Sequence, residues 1–396
     1  MTPSVFIVDS ARTAIGSRFQ GLKDFSAARL AAVVMADVLK RTKISKKLVG
    51  EVILGHVVSA GTGQNVSRQA AILAGLPVGV PAFSVNHVCG SGLQAVILGA
   101  RSIVCGEKDL IVAGGTESAS LNPQLYFSFE DVSGRPFGPP RDQNPIESLV
   151  YDGLWCQLTD RHMGHLAEAT ARRFKISRRE QDEYTLESHR KACQAQQQGK
   201  FHKEIVPVVL AGPGCFEKDD RPRWNIDSEK LSVLPPAFKK NGTITAGNSS
   251  APCDGAAAVI LAAGNFVKHH RLLAQARLLG YASVVVDPRE VFTAGIKAVR
   301  ECFKRCRLSR ADIDLFEISE AFAAQAILTR NQLKIPEEKM NIWGGDLALG
   351  HPLGATATRS LVTLLHALQD TKKTRGMVCV CLGGGGAIAL AVEMIA

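Results

Sequence analysis

The feature that most constrains the fold of this chain is a repeat of one helix-turn-strand pattern at two distant places. Residues 39–55 and residues 302–319 each end a helix, turn at a serine and enter an apolar strand, and the two serines, Ser45 and Ser309, lie 264 positions apart. Alternating strands and helices favour parallel-rich sheets that are covered by helices on both faces. The chain is therefore predicted to be a duplicated α/β protein, and its 396 residues are enough for two such cores.

A cysteine stands at a strand-to-helix turn of the first copy. Residues 80–85 are apolar and extended in character, residues 93–103 have the apolar spacing of a buried helix, and Cys89 lies in the turn between them. The partial positive charge at a helix N-terminus lowers the pKa of a thiol. Most free cysteines are small buried hydrophobes, so this turn alone does not identify a nucleophile.

Two later segments supply groups that a reactive thiol needs. In the second copy, the position equivalent to Cys89 is residue 353, because the two copies are offset by 264 residues. This position is two residues from His351, which precedes a predicted helix with apolar periodicity. A helix N-terminus disfavours the imidazolium, so we expect His351 to stay neutral and to accept a proton from a thiol. Cys381 ends a strand beside four glycines, whose backbone amides can approach a bound carbonyl oxygen closely. Taken alone, His351 could equally be a histidine that caps a helix or packs in the core. Cys381, taken alone, could be a buried cysteine of a strand. If the copies pack about a pseudo-twofold axis, Cys89 and His351 meet.

Composition bounds the partners and the location of the protein. The formal net charge of +10 is compatible with a polyanionic partner, but no nucleic-acid-binding module accompanies it and we expect no nucleic-acid partner. Most of the basic clusters lie on or beside predicted helix faces, where solvation usually explains them, and a nucleotide thioester such as coenzyme A would fit the same charge. No apolar stretch is long enough to span a membrane, and the first twenty residues, with Asp9, Arg12 and Arg18, do not resemble a secretory signal. Ten cysteines without paired CxxC spacing indicate reduced thiols. We therefore expect a cytoplasmic protein with no membrane partner and no metal site.

The two copies are separated by a segment of different character. From about residue 120 to residue 245, prolines and glycines break the pattern, and residues 177–199 form a predicted helix with Ser177 as N-cap and Glu180 at the capping-box position. Small-residue turns and an apolar strand return after residue 246. We predict an N-terminal half from residues 1–120 and 246–266, an inserted lid domain at residues 121–245, and a C-terminal half at residues 267–396.

Four separated motifs occur in order along the chain: VCGSGL at residues 88–93, EAF at 320–322, GHPLG at 350–354 and CLGGG at 381–385. Together they resemble the thiolase family of acyl-CoA acetyltransferases and acyltransferases. The resemblance starts at residues 10–13, with the sequence SART, and spans nearly the whole chain. It implies an α/β thiolase fold in which two duplicated αβαβαββ halves form a layered α-β-α-β-α core, with an inserted loop domain at residues 121–245 that binds coenzyme A. It also implies a homodimer or a dimer of dimers.

The resemblance implies roles for the residues singled out above. Cys89 is expected to be the nucleophile that accepts the acyl group, His351 the group that activates it, and Cys381 the acid/base at the α-carbon of the second substrate. The backbone amides of Cys89 and Gly383 match the family's oxyanion hole. The implied reaction is the Claisen condensation of two acetyl-CoA molecules to acetoacetyl-CoA, and the reverse thiolysis, through a Cys89 acyl-enzyme. Coenzyme A thioesters are the substrates, and no further cofactor is implied.

One position departs from the family pattern. Ser319 precedes the EAF motif, where many thiolases carry an asparagine and some a histidine that helps to hold a water or a carbonyl oxygen at the enolate. A serine hydroxyl can hold a water but reaches less far than either of those side chains. Ser319 also fits a simple helix cap.

Further positions match the family's substrate contacts. The sequence RHMG at residues 161–164 is similar to short-chain acetoacetyl-CoA thiolases, which implies that His162 and Met163 close on the pantetheine end. Residues 180–184 and 341–345 look more like thiolases of fatty-acid degradation. The remaining positions that match coenzyme A or substrate contacts are Arg221, Ser228, Ser250 and Phe322.

Three alternatives stay open at this point. A degradative 3-ketoacyl-CoA thiolase of fatty-acid β-oxidation would accept longer substrates. A β-ketoacyl-carrier-protein synthase shares the duplicated fold and the nucleophilic cysteine but has no C-terminal cysteine base, so Cys381 beside Gly383 argues against it. A non-catalytic thiolase-like acyl-CoA-binding protein would explain Ser319, but the joint presence of Cys89, His351 and Cys381 argues against that class.

Overall fold

Each copy of the repeat contributes a block of strands to one continuous sheet. The computed structural model describes residues 4–126 and 145–395. The first block contains β1 (Val5–Thr13), β2 (Glu51–Gly55), β3 (Ala82–Val85), β4 (Leu110–Glu117) and β5 (Cys253–Ala263). The second block contains β6 (Ala276–Val285), β7 (Leu315–Ile318), β8 (Arg375–Leu382) and β9 (Gly386–Met394).

The order of the strands repeats between the two blocks. Reading outward from the middle of the sheet, the first block runs β1, β5, β4, β2, β3 and the second runs β6, β9, β8, β7. In both blocks the first three strands are antiparallel neighbours, and the next pair, β4 with β2 or β8 with β7, is parallel. The blocks join where Phe6 and Ile7 of β1 pair with Arg277 and Ala276 of β6. This repetition confirms the predicted duplication.

Helices cover both faces of each block. They are α1 (Ala27–Thr42), α2 (Val66–Leu73), α3 (Ser91–Val104), α4 (Met163–Arg173), α5 (Arg178–Gln197), α6 (Ala294–Cys306), α7 (Ala323–Leu333) and α8 (Leu353–Thr371). Helices α3 and α8 pack against each other and α8 contacts strands of both blocks, so this pair forms the middle layer. Helices α1 and α2 cover the outer face of the first block, and α6 covers that of the second. Each block of the sheet thus lies between an outer layer of helices and the shared middle layer of α3 and α8. The layers therefore alternate α-β-α-β-α, as the resemblance implied.

Close packing of backbone brings the starts of α3 and α8 together. A Cβ atom added at Gly354, the second residue of α8, would lie 2.5 Å from the Thr116 carbonyl oxygen of β4. A Cβ added at Gly92 of α3 would lie 2.9 Å from the Gly354 carbonyl oxygen. Only glycine fits where backbone approaches backbone this closely. The two helix starts that carry the predicted nucleophile and base are therefore neighbours.

The segment between β4 and β5 packs over the second block and is tied back to β1. Helix α5 begins with the predicted capping box, in which Ser177 and Glu180 bond each other's backbone N–H. Helices α4 and α5 both contact α7. Residues 127–144 of the predicted lid lie outside the described residues. In the parts of the chain that are described, no helix has both the length and the apolar character needed to cross a membrane.

Candidate active site

Cys89 lies in a tight turn between β3 and α3. Val88, the residue before it, has φ of 48°, a left-handed conformation that is costly for a β-branched side chain. The turn is held by hydrogen bonds on both sides of the strained residue: the Ser91 N–H donates to the Val88 carbonyl oxygen (3.0 Å), and the His87 N–H donates to Ser91 Oγ (2.8 Å). Such strain persists where the surroundings impose it, and here it orients the Cys89 thiol.

His351 contacts the Cys89 thiol across the middle layer. The distance from His351 Nε2 to Cys89 Sγ is 3.3 Å, although the two residues are 262 positions apart in sequence. His351 follows Gly350, whose φ of 101° suits glycine and allows the chain to turn into α8. The geometry therefore places a proton acceptor in contact with the predicted nucleophile.

Thr356 determines which nitrogen of His351 carries the proton. The Thr356 hydroxyl lies 2.8 Å from His351 Nδ1 and donates to the Pro352 carbonyl oxygen at 2.9 Å. Because its one hydrogen is used on that carbonyl, the hydroxyl accepts a hydrogen bond from Nδ1–H. Nε2 then has a free lone pair that faces the Cys89 thiol. Thr356 was not among the predicted site residues, and its signal in the sequence is a hydroxyl residue in the first turn of the helix that His351 opens.

Burial shifts both titrating groups away from their charged forms. It lowers the pKa of His351, against the field of Asp346, which raises it, so the imidazole is neutral near pH 7. Burial, together with the charge of Asp346, raises the pKa of Cys89 to about 12, although the N–H groups of Cys89 and Gly383 act in the opposite direction. The expectation that a helix N-terminus lowers the Cys89 pKa is thus wrong for the free chain, because desolvation outweighs the helix. The thiol needs a base, and His351 is in place.

The glycine run and Cys381 complete the group around Cys89. Strand β8 ends at Leu382, and the Gly383 N–H that follows is within hydrogen-bond reach of the Cys89 sulfur. Burial raises the pKa of Cys381 well above its ordinary value, and a charge on Cys89 raises it further. The structure therefore brings Cys89, His351, Cys381 and Gly383 to one place.

Ser319 is buried and bonded to a carboxylate that sequence analysis did not identify. Its hydroxyl donates to Asp346 Oδ2 at 2.8 Å, and the Glu320 N–H donates to the same oxygen at 2.9 Å. Asp346 also forms a buried ion pair with Arg359. Helix α7 begins at Ala323, four residues beyond Ser319, so Ser319 is not its N-cap. With its hydrogen committed to Asp346, the hydroxyl can offer the site only an acceptor.

A basic cleft leads away from this group. It has a volume of about 400 Å³, and its lining includes His189, Arg221, Arg223, Lys230 and Leu347. A Cβ at Gly350 would lie 2.8 Å from Arg221 Cδ, which places the arginine beside the residue that precedes His351. The Arg221 Nε is buried without a hydrogen-bond partner in the described chain. A buried donor without a partner indicates a position for an anionic ligand.

The other predicted coenzyme A contacts are divided between two places. Ser228 begins a short helix and lines a neighbouring cleft with Trp224, not the cleft of Arg221. Ser250 donates from both its N–H (3.0 Å) and its Oγ (3.1 Å) to the Ala321 carbonyl oxygen, so it lies against the EAF motif.

His162, Met163 and Phe322 belong to a wall of large side chains. The His162 ring stacks on Phe238 at 4.8 Å between centroids, and Phe238 meets Phe322 edge-on at 6.3 Å. Met163 packs against the same cluster. His162 Nδ1 accepts from the Gly164 N–H and caps α4, and burial lowers its pKa. The wall connects the inserted segment to the EAF motif. Among the residues described, no group of three His, Cys, Asp or Glu side chains is arranged to hold a metal ion.

Comparison with known families and proteins agrees with this geometry. A family model for the thiolase N-terminal domain matches residues 5–265, and one for the thiolase C-terminal domain matches residues 272–394. A curated relative, a probable acetyl-CoA acyltransferase of Staphylococcus aureus (strain COL), is 44% identical over 394 residues, which is 98% of each chain.

Solved structures match over the full length. An acetyl-CoA acetyltransferase of Bacillus anthracis superposes with a TM-score of 0.94 at 34% identity and covers 100% of this chain and 99% of its own. The Acat5 thiolase of Ascaris suum in complex with coenzyme A gives 0.92 at 36% identity, covering 99% and 100%. Human mitochondrial 3-ketoacyl-CoA thiolase in complex with CoA gives 0.93 at 34% identity, covering 100% and 99%.

Proposed function

Because this chain belongs to the thiolase family and is an acyltransferase, we propose that it interconverts two acetyl-CoA molecules with acetoacetyl-CoA and coenzyme A through an acyl group carried on Cys89. The observation that carries the proposal is the 3.3 Å contact between His351 Nε2 and the Cys89 thiol, with Thr356 holding the imidazole in the tautomer that accepts a proton. That pair converts a thiol of raised pKa into a thiolate only while it reacts.

In the first half of the reaction, Cys89 takes the acyl group. His351 accepts the thiol proton, the sulfur attacks the thioester carbonyl, and the N–H groups of Cys89 and Gly383 stabilise the negative oxygen of the tetrahedral intermediate. The carbon–sulfur bond to coenzyme A breaks, and Cys381 gives its proton to the departing thiolate. The result is acyl-Cys89, a Cys381 thiolate and a protonated His351.

In the second half, the acyl group passes to carbon. The Cys381 thiolate removes the α-proton of the second acetyl-CoA, and the carbanion attacks the Cys89 thioester. Acetoacetyl-CoA leaves, and His351 returns its proton to Cys89, which restores the starting state. Thiolysis is the same sequence in reverse.

Two variants separate these roles. Cys89→Ala is expected to retain no label after incubation with radiolabelled acetyl-CoA. Cys381→Ala is expected to acylate at Cys89 but to lose condensation and exchange of the acetyl α-protons with solvent. Label on Cys89→Ala, or α-proton exchange by Cys381→Ala, contradicts the assignment.

The basic cleft is the proposed site of the coenzyme A phosphates. Its lining arginines and the unpartnered Arg221 Nε support this position, and Arg221 lies between the cleft and His351. Ser250 stands at the pantetheine end, whereas Ser228, on the neighbouring cleft, contributes only if the nucleotide reaches it. Arg221→Gln should raise the KM for coenzyme A with little change in kcat, and Ser228→Ala serves as the comparison.

A short acyl chain is supported by the wall that His162, Phe238 and Phe322 form with Met163. His162 stacks on Phe238, which meets Phe322, and in the proposed binding mode these packed side chains would limit the room beyond an acetyl unit. Thiolysis of 3-ketoacyl-CoA thioesters of increasing length should be fastest, in kcat/KM, for acetoacetyl-CoA. A maximum at medium or long chains would instead assign the chain to degradative thiolysis, and no thiolysis at any length would favour a binding protein.

The proposal includes a homodimer or a dimer of dimers that pairs at the edge of the sheet. β3 is the terminal strand of the first block, and Phe83 on it and Leu73 on the adjoining α2 are exposed. Unpaired strand edges with apolar side chains favour association with a second copy. Sedimentation should give a dimer or tetramer for the wild type and smaller species for Phe83→Lys; a monomeric wild type contradicts this part.

The remaining parts of the proposal are a cytoplasmic location and a reaction without any cofactor beyond coenzyme A thioesters. Neither a membrane nor nucleic acid is a partner. Activity should survive dialysis against a metal chelator, and its loss and recovery with a divalent ion would contradict the absence of a cofactor.

A further inference from the structure

Two cysteines on the outer helix α6 lie in contact, away from the group around Cys89. Cys302 and Cys306 stand one helical turn apart, and their sulfur atoms are 3.9 Å from each other. A Cβ at Gly280 of β6 would lie 2.6 Å from the Cys306 sulfur, so this sulfur occupies space that only glycine leaves open. The Cys302 sulfur also lies 3.9 Å from the Gly280 carbonyl oxygen. The pair is therefore seated against the sheet as a unit.

The two members of the pair differ in access and in surrounding charge. Cys302 is fully buried, whereas Cys306, the last residue of α6, is partly exposed. Lys304, Arg305 and Arg307 flank Cys306. The hydrogen bond with Cys302 and the charge of Arg305 lower the pKa of Cys306, against its partial burial. The same hydrogen bond, with burial, raises the pKa of Cys302. Cys306 is thus the more readily ionised thiol of the pair, and Cys302 is the less readily ionised one.

We propose that Cys302 and Cys306 form an oxidation site that hydroperoxides convert reversibly into a disulfide. The Cys306 thiolate attacks one peroxide oxygen, the O–O bond breaks, and hydroxide or an alkoxide leaves, which makes Cys306 a sulfenic acid. The Cys302 sulfur then attacks the Cys306 sulfur. The S–S bond forms, the S–O bond breaks, and water leaves with the Cys302 proton. Two thiols supply the two electrons that reduce the peroxide.

Helix geometry makes this disulfide reducible. Residues four apart in a helix have Cα atoms about 6 Å apart, inside the range for disulfides, but Cβ atoms about 5–6 Å apart, beyond the usual ~4 Å. The last turn of α6 must therefore loosen, which it can do because Cys306 ends the helix. Strained disulfides are reduced readily by thiols.

The two reacting thiols differ in access, since Cys381 is buried and Cys89 is partly exposed, but both are poor targets for peroxide. Burial raises the pKa of both Cys89 and Cys381, so each stays protonated and is a poor nucleophile toward peroxide while substrate is absent. Limiting peroxide is therefore expected to oxidise Cys306 before either of these two thiols.

The test treats the intact chain with one to a few equivalents of hydrogen peroxide, alkylates the remaining thiols and digests the chain with trypsin without reductant. The peptides are then identified by mass spectrometry. Trypsin cleaves after Lys304 and Arg305, so a Cys302–Cys306 bond joins two separate peptides. We expect the joined peptides, their disappearance with dithiothreitol, and retained thiolysis activity. Both cysteines found alkylated while other cysteines are oxidised would overturn the proposal.

Variants identify the order of attack. Cys302→Ala should trap Cys306 as a sulfenic acid, with several-fold more dimedone adduct on Cys306 than in the wild type, whereas Cys306→Ala should leave Cys302 unmodified. Cys105→Ser is the matched control, because Cys105 lies at the C-terminal end of a helix, as Cys306 does, and is even more exposed, but is in contact with no sulfur of the described chain. This variant should still form the joined peptides. Equal labelling of Cys302→Ala and wild type would reject Cys302 as the resolving thiol. Thiolysis activity of each variant reports that it has folded.

Discussion

At the scale of single residues, the Thr356 hydroxyl acts on the reaction only through His351. Without it, Nδ1 loses its acceptor, and the imidazole can adopt the tautomer whose Nε2 carries a proton and cannot take the one from Cys89. Thr356→Val keeps the shape but removes the acceptor. We expect it to slow acylation of Cys89 by about 5- to 150-fold, from the ~1–3 kcal/mol of a lost buried hydrogen bond.

Rapid-quench measurement of acetyl transfer to Cys89 checks this prediction, and Thr356→Ser, which keeps the hydroxyl, is its control. Recovery of the rate in Thr356→Ser with an unchanged KM identifies a positioning role. If Thr356→Val acylates at the wild-type rate, the tautomer is held by something other than Thr356.

The neutral imidazole also sets the response to acid. Burial lowers the pKa of His351 below its ordinary value of 6.5, so the proton-accepting form persists below that pH and is lost only as pH falls through the lowered pKa. The acid limb of kcat/KM for thiolysis is therefore expected below pH 6.5. Steady-state rates from pH 5 to pH 9 measure it. If kcat/KM instead begins to fall above pH 6.5, the protein stabilises the protonated form of His351.

The sequence could predict the site residues that stand in local motifs, but not the contacts that they make with distant segments. Cys89, His351 and Cys381 stand in short motifs at glycine-containing turns, and local pattern was enough to select them. Asp346 is 27 residues from Ser319, in a segment with no polar periodicity, and its contact depends on how two loops fold together. The direction of the Cys89 pKa shift was mistaken for the same reason, since burial is a property of the folded chain.

At the scale of elements, the contact between Cys89 and His351 depends on how closely α3 and α8 approach each other and β4. Gly354 lies between these elements, and a Cβ there would meet the Thr116 carbonyl oxygen at 2.5 Å and the Gly55 carbonyl oxygen at 2.9 Å. Backbone cannot move aside as a flexible side chain can. Gly354→Ala should therefore destabilise the fold by about 1–3 kcal/mol or more, with loss of acylation as the helices separate.

Urea denaturation followed by circular dichroism measures this effect. Gly79→Ala is the control, because a Cβ at Gly79 has nothing within 4 Å, and its midpoint should stay near that of the wild type. A Gly354→Ala midpoint equal to that of Gly79→Ala would show that the helix starts tolerate a wider separation.

The helices and strands around the site could largely be predicted from the sequence, but the distances between these elements could not. Apolar spacing predicted a helix at residues 93–103, and the structure has α3 at Ser91–Val104. The 264-residue offset placed β2 and β7, which start at Glu51 and Leu315, in equivalent positions. That α3 and α8 share one layer could be expected from the pseudo-twofold axis, but the glycines that permit their close approach are separated by long stretches of sequence.

At the scale of the whole molecule, a buried ionic cluster joins the segment after α5 to the first strand. Arg12 of β1 pairs with Glu204 at 2.6 Å and with Asp219 at 2.7 Å, and none of the three side chains is exposed. Sequence analysis placed Arg12 in a motif shared with thiolases but could not give it a function, because its partners lie 192 and 207 positions away. The cluster holds the segment that carries Arg221 against the first half of the molecule.

Removing Arg12 therefore tests how the inserted segment is held. Arg12→Ala leaves two buried carboxylates without their cation, and breaking a buried ion pair from one side costs about 3–5 kcal/mol. We expect a lower urea midpoint, faster proteolysis between residues 204 and 221, and a raised KM for coenzyme A, since Arg221 follows Asp219 closely. Arg289→Ala removes the exposed Arg289–Asp287 pair and is the control, expected to change none of the three. Faster proteolysis without a change in the KM for coenzyme A would mean that Arg221 keeps its position through its contact with Gly350 alone. If the Arg12→Ala chain resists proteolysis as well as the control does, packing and not this cluster holds the segment in place.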